Sequence, residues 1–552
     1  MRLLLTIVLV AVTAPAFAQE EACAPQDEGE SMANHRLLRQ LSLDLFGRIP
    51  TMEEWNRLET GASIDEDILP GMFESEEYFA RVREQHRALV WGSLGNIQNI
   101  DSGNARLARL GSTDTWRVGN MRRGYRGAST VECLDQPQPA AAYDAQGYPQ
   151  PIEIITGAEA ERIGCDPADG RNGSEPPQCR REGYVMVAPY WDPANPIKVC
   201  AFDAQDLETD ASGQSCAPRN GSRTCGCGPN LDQCLPSGNS VANLAIRRAL
   251  EEEPARIFEA VIRDGRSYME AFTTQESYVN GASAHYYDHL SGIANPESGG
   301  QVTYDPLMGS LQDTAFLDET WRPVQRPADH AGVLTTLGYL LRFASNRSRA
   351  NRFYTAFRCE PFVPPAEGLP EDTSEVPDPN LRERTGCASC HGQLEVVSAA
   401  WGRWRGNGTH GFLNDELLDA MAPRDRCTEC GLDGQRNCSA YCNAYFVTGD
   451  NSALGMVEAW DGYPLSRAYL SDAEAAAINA GPSSLVDEPD EVRRVASCAV
   501  RTAAERLFGR TLTTDESVSW VAEMTDAFEA DGFDYSAMVE RIVSSEIYRT
   551  VR

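Results

Sequence analysis

Apolar residues recur at helical spacing over much of the chain, which predicts a mainly α-helical fold. Leucines line one face of the stretch Asn34–Phe46, and Gly47 suits the end of such a helix. Thr51 and Glu54 have the spacing of a capping box, so a second helix is predicted to begin there. A third helix is predicted from about Ser75 to Ser93.

Helical spacing returns near Ser240 and continues through the C-terminal tail. Further helices are predicted at Ala242–Leu250, Ala255–Ile262, the strongly apolar stretch His330–Phe343, Ser348–Phe357, and several positions between Arg501 and Arg552.

Between residues 113 and 237 the helical pattern is lost, and Gly, Pro, Asp and Asn dominate. Such a composition cannot build a core from its apolar residues alone, so disulfides are expected to stabilise it. A zinc site at Cys225 and Cys227 is the weaker alternative, because no histidine is near. Eight cysteines fall in this stretch, namely Cys133, Cys165, Cys179, Cys200, Cys216, Cys225, Cys227 and Cys234.

The N-terminus indicates export. Met1 and Arg2 precede a short apolar run that leads to Ala16-Phe17-Ala18, the pattern of a secretory signal peptide cleaved after Ala18. No later run of about 18 apolar residues is present, so no membrane span is expected after signal removal. We therefore expect a periplasmic or cell-surface protein, an oxidising setting that suits its 17 cysteines.

The strong negative charge narrows the range of partners. A formal net charge of −32 argues against nucleic acid and against anionic membrane surfaces as binding partners.

The most specific chemical signal is Cys387-Ala388-Ser389-Cys390-His391, a C-x-x-C-H motif. This spacing is the attachment signature of a c-type haem, in which the two thiols form thioether bonds and the histidine binds the iron. Half of a zinc site and a disulfide are the structural alternatives. Haem is favoured because haem c is attached outside the cytoplasm and the chain is predicted to be exported.

Residues near the motif suggest further contacts with the haem. Arg405 follows Trp401 and Trp404, and an arginine beside an aromatic wall suits an ion pair with a haem propionate. The alternative is a pair of core tryptophans with a solvated arginine. The later cysteine cluster at 427–442 is expected to form two disulfides rather than a zinc site, because of the oxidising compartment.

Six parts of the chain carry a resemblance to a known family. They are Leu38–Thr51, Ser75–Tyr78, Arg266–Tyr287, Ala331–Thr335, Cys387–His391 with the following Trp404-Arg405, and Leu507–Ile547. Together these segments resemble the planctomycete-type cytochrome c domain proteins, which are large exported bacterial proteins. The resemblance covers about two thirds of the mature chain in the same order and implies covalent haem and extracytoplasmic redox chemistry.

The residue opposite His391 on the iron decides between functions. Methionine or histidine in this sixth position favours electron transfer, whereas an open position favours peroxide or oxygen chemistry. Met456 is the first candidate, since a distal methionine follows the haem motif in small c-type cytochromes. Met421, His410, His330 and an open position are the alternatives.

The sequence thus predicts a mainly α protein with a multi-helix scaffold, a disulfide-rich irregular insertion and a C-terminal cytochrome c-like helical domain. Its function is predicted to be extracytoplasmic electron transfer by one covalent haem c, with a redox partner protein and as part of a larger complex. A haem enzyme, peroxidase or oxygenase, and a surface scaffold or binding protein are the alternatives. The predicted segments are a signal peptide at 1–18, an N-terminal helical segment at 19–112, the cysteine-rich insertion at 113–237, a helical scaffold at 238–366, an acidic proline-rich linker at 367–380 and the haem domain at 381–552.

Overall fold

A computed structural model describes most of the chain between Ala33 and Thr550. The predicted signal peptide at 1–18 lies outside these residues. The described residues are 33–91, 94, 106–111, 114–118, 126–128, 130–138, 150–168, 174–206, 226–237, 240–290, 314–363, 366, 368–371, 381–404, 430–431, 437–438, 448 and 471–550.

Helix is the main secondary structure, as predicted, and fifteen α-helices lie within the described residues. The helices are α1 (Asn34–Phe46), α2 (Met52–Glu59), α3 (Leu69–Phe73), α4 (Glu76–Leu89), α5 (Gly157–Ile163), α6 (Val241–Arg263), α7 (Gly281–His285), α8 (Leu337–Arg342), α9 (Asn346–Phe357), α10 (Ala388–Ala399), α11 (Asp472–Ala480), α12 (Pro489–Phe508), α13 (Val521–Ala530), α14 (Tyr535–Ser544) and α15 (Glu546–Arg549).

Local sequence signals set the first helices. Helix α1 has the predicted bounds and ends at Gly47, whose φ of 76° is left-handed and costs a glycine little. The predicted capping box is present, because Thr51 accepts from the Glu54 amide and Glu54 accepts from the Thr51 amide. Capping therefore explains where α1 ends and where α2 begins.

Helix α6 corrects the sequence prediction of two helices separated near Pro254. It is one helix of 23 residues with Pro254 inside it. Proline has no amide hydrogen for the Leu250 carbonyl four residues earlier, so an interruption was a reasonable expectation. Gly338 of α8 packs against this carbonyl so closely that a Cβ there would lie 2.1 Å from the Leu250 oxygen. Tertiary packing therefore keeps the helix continuous through its proline.

Small sheets are present beside the helices, most of them in the cysteine-rich insertion. One sheet has five strands in the order β5-β6-β2-β1-β7, and β3-β4 and β8-β9 form two further pairs. The strands are β1 (Arg106–Arg109), β2 (Trp116–Val118), β3 (Glu153–Ile155), β4 (Cys179–Arg181), β5 (Tyr184–Val187), β6 (Ile197–Cys200), β7 (Leu235–Pro236), β8 (Glu276–Val279) and β9 (Arg322–Gln325).

Disulfides stabilise the insertion, as the cysteine count predicts. Among the residues of the insertion that the structure describes there are three bonds, namely Cys133–Cys200, Cys165–Cys179 and Cys227–Cys234. The insertion is nevertheless more regular than predicted. Its buried backbone groups need hydrogen-bond partners, and pairing of short strands supplies them.

One large hydrophobic core joins the two ends of the described chain. It contains apolar side chains from α1 and α4, from α6, α8 and α9, and from α12, α13 and α14. Trp401 and Trp404, which follow α10, belong to the same core. The helix that carries the C-x-x-C-H motif is therefore attached to a core built by distant parts of the sequence.

A disulfide between Cys359 and Cys498 spans 139 residues and links the second residue after α9 to α12. The cross-linked segment includes the C-x-x-C-H motif. None of the helices in the described residues is both long and apolar enough to cross a bilayer.

Replacing Cys359 and Cys498 together by serine tests this cross-link. In the chain-entropy model, opening a loop of this length costs about 5 kcal/mol of stability, whereas opening Cys227–Cys234, whose residues are 7 apart, costs about 2 kcal/mol. Urea unfolding of the two double-serine variants measures the difference. Equal losses for the two pairs would contradict the expectation.

Candidate functional site

The C-x-x-C-H motif forms the first turn of α10. Cys387 is the residue before the helix, and the amides of Cys390 and His391 both donate to its carbonyl, at 3.2 and 3.0 Å. Residues three and four apart on a helix share a face, so the two thiols and the imidazole are close neighbours. All three side chains are half-buried, which leaves them accessible from one side.

Both motif cysteines have free thiols. Ten other cysteines in the described part of the chain are paired in five disulfides, whereas Cys387 and Cys390 are unpaired. The disulfide alternative for the motif is therefore not what the structure contains. In the later cluster, Cys430 pairs with Cys438, in line with disulfides at that site.

His391 is held by a carboxylate one turn further along α10. Its Nδ1 lies 2.5 Å from Glu395 Oε1, and Arg347 Nε donates to the same oxygen at 2.7 Å. An ionised carboxylate only accepts hydrogen bonds, so the imidazole proton is on Nδ1. In the neutral form of the ring, this leaves the lone pair of Nε2 to bind a metal.

The opposite end of α10 is buried. The Trp401 side chain has no exposed surface, and its indole N–H donates to the Leu334 carbonyl at 2.9 Å. Its ring stacks on Tyr339 with 6.2 Å between centroids. Trp401 and Trp404 both belong to the hydrophobic core. Core tryptophans are one of the two alternatives that the sequence left open, the other being an aromatic wall beside a haem. Arg405 lies outside the described residues.

A buried arginine fixes the loop after α10 to the preceding helices. Arg349 donates to the Phe343 carbonyl at 2.9 Å, to Asn346 Oδ1 at 2.8 Å, and to the carbonyls of Leu340 and Trp404, each at 3.3 Å. Burial lowers the pKa of its guanidinium to about 9, which still leaves it protonated at neutral pH.

His330 is the one candidate for the sixth iron position within the described residues. Its side chain is buried, its Nδ1 lies 2.5 Å from Thr335 Oγ1, and its Nε2 has no hydrogen-bond partner. Burial lowers its pKa well below the usual value, so the ring is neutral. The hydrogen bond of His330 Nδ1 is to Thr335 and not to a residue of α10. Met456, Met421 and His410 lie outside the described residues.

The histidine pair on α7 and the segment after it serves packing. His285 stacks on Tyr190 with 3.9 Å between ring centroids, and its Nε2 lies 3.1 Å from the Asp232 carbonyl oxygen. His289 lies beside it, 4.7 Å between centroids. Within the described ranges no cluster of three or more His, Cys, Asp or Glu side chains could hold a metal ion.

Glu395 and Arg347 are the two residues of the site that the sequence analysis missed. Glu395 follows His391 by four positions, a spacing that brings side chains together on any helix after the motif. Arg347 lies 48 residues from Glu395. No local pattern connects these two residues, and only the packing of α9 against α10 brings them together.

In comparisons with family models, with curated proteins and with solved structures, nothing matches this chain.

Replacing Arg349 by methionine tests the attachment of the loop after α10. The variant leaves several buried carbonyls without a donor, so we expect a loss of about 3 kcal/mol in the free energy of unfolding. Arg347→Met is the matched control, because Arg347 is an arginine two positions away whose partner is Glu395 in a partly exposed ion pair. Its replacement should cost at most about 1 kcal/mol. Chemical denaturation of both variants measures the costs, and a similar loss in both would contradict the assignment.

Proposed function

We propose that this chain is an exported c-type cytochrome that carries one covalent haem c and acts in extracytoplasmic electron transfer with a redox partner protein, as part of a larger complex. The observation that carries the proposal is the first turn of α10. Two unpaired thiols and a metal-ready imidazole meet there, in a chain whose other described cysteines form disulfides.

The donor set fits haem c in its chemistry. Cys387 and Cys390 would hold the porphyrin through thioether bonds, and His391 Nε2 would bind the iron. The haem supplies an iron that takes up and releases one electron. The protein supplies the rest: Glu395 fixes the ring of His391, and the core contacts of Trp401 fix the helix that presents the motif.

Disulfide bonding supports the compartment. Disulfides persist in oxidising compartments, so the five bonds of the described residues fit a periplasmic or cell-surface protein. The same proposal includes three further assignments. Residues 381–552 form a cytochrome c-like part, the chain belongs to the planctomycete-type cytochrome c domain proteins, and Arg405 forms an ion pair with a haem propionate.

The sixth ligand distinguishes electron transfer from haem catalysis. Met456 is the first candidate, with Met421, His410, His330 or an open position as the alternatives. A methionine or histidine ligand suits electron transfer, whereas an open iron would suit a peroxidase or oxygenase. Electron transfer is preferred because four of the five options for the sixth position are side chains that would fill it.

The decisive measurement uses protein matured in a periplasm with haem attachment machinery. We expect the intact protein to carry the added mass of one haem and to show a reversible change in its visible spectrum on reduction. A Cys387→Ala/Cys390→Ala variant should lose both signals. A colourless wild-type protein without the added mass would exclude the proposal.

Two controls sharpen that measurement. The Cys227→Ser/Cys234→Ser variant removes two cysteines outside the motif and should retain the haem. Carbon monoxide added to the reduced protein should leave the spectrum unchanged if a protein side chain occupies the sixth position. Carbon monoxide binding would instead favour the haem enzyme.

A further inference from the structure

One carboxylate oxygen joins two helices at the candidate haem site. Glu395 Oε1 accepts the Nδ1 proton of His391 and also a hydrogen bond from Arg347 Nε. Glu395 and His391 lie on α10, whereas Arg347 lies in the first turn of α9. The contact of the two helices therefore determines the surroundings of the imidazole.

The start of α9 is well fixed, so Arg347 has a defined position. Ser345 and Ser348 form a capping box at the beginning of the helix. Arg349, two residues further on, is buried and bonded to the carbonyls of neighbouring segments. Arg347 itself keeps about half of its side chain exposed. It can act on Glu395 without being required for the core.

The contact with Arg347 gives the carboxylate a definite position. Glu395 Oε1 lies within hydrogen-bond distance of both His391 Nδ1 and Arg347 Nε, so the side chain that faces the imidazole is held from two sides. A histidine that donates to a carboxylate is a stronger donor through its other nitrogen, and such partners orient and tune metal ligands. A stronger axial donor stabilises ferric more than ferrous iron, and hydrogen bonding around the ligand is one means of setting a haem potential.

We propose that Glu395, fixed by Arg347, is a positioning residue that holds the His391 ring in its Nδ1–H form and lowers the midpoint potential of the haem. This inference rests on the proposed function, because it requires the haem that His391 would bind. A bound haem would exchange the electron at its iron, and Glu395 would keep the Nδ1 proton of His391 in their hydrogen bond.

The test is a potentiometric titration of the haem-loaded, full-length protein. Glu395→Gln keeps the size of the side chain but removes its charge. We expect the ratio of ferrous to ferric protein at a fixed ambient potential to rise about tenfold, which is about 59 mV for one electron. Arg347→Gln should shift the ratio in the same direction by a smaller factor, because Glu395 remains but is less firmly held.

Two further variants separate the hydrogen bond from general charge and from stability. Asp329→Asn removes a carboxylate that is paired with Arg403 at 2.9 Å, near the other end of α10, and should change the ratio less than threefold. Glu395→Asp keeps the charge but shortens the side chain. If its ratio of ferrous to ferric protein moves toward the ratio of Glu395→Gln, the hydrogen bond to His391 is the cause. A purely structural role would change the unfolding free energy and leave the potential unchanged.

The outcomes distinguish this inference from the proposed function. Wild-type protein without covalent haem overturns both. If the wild type carries haem and both Glu395→Gln and Arg347→Gln have the wild-type potential, the role of Glu395 is overturned. The proposal of a c-type cytochrome then still stands. If Glu395→Gln does not mature, Arg347→Gln decides alone, and an unchanged potential in that variant overturns the inference.

Discussion

The described structure around the motif depends on one buried guanidinium. Arg349 has planar donors that point in several directions, and it uses them on groups that no regular helix can satisfy. The carbonyls of Leu340 and Phe343 come from the last turn of α8 and the residue after it, and the Trp404 carbonyl comes from the loop after α10. Leaving such groups unpaired in the core would cost about 1–3 kcal/mol for each of them.

Because of this contact, α10 has one fixed end and one accessible end. Trp401 and Trp404 are buried beside α8 and α9, whereas Cys387, Cys390 and His391 stay half-buried at the other end, three turns away. The buried end supplies the rigidity that a functional site needs. Glu395 lies between these ends. It bonds both to Arg347 of α9 and to the His391 imidazole, so the position of α9 affects the surroundings of the imidazole.

Local physics made part of this arrangement readable from the sequence. The bounds of α1, the Thr51 capping box and the need for disulfides in the insertion follow from spacing and composition, and the structure confirms them. Continuity of α6 through Pro254 depends on Gly338, and the anchoring of α10 depends on Arg349. Both are tertiary contacts between separated segments, which no local pattern encodes. The spacing of its residues identified the motif itself, whereas no pattern in the sequence indicated that Arg347 contacts Glu395.

The distribution of cysteines makes the case for a covalent role of the motif. The chain has 17 cysteines, and five described disulfides account for ten of them. In an oxidising compartment two accessible thiols in one turn are a liability, because they can be oxidised or can exchange with the neighbouring disulfides. Thioether bonds to a haem would consume both thiols irreversibly and would use the histidine beside them. Under the proposed function, that bonding would leave no free thiol in the first turn of α10.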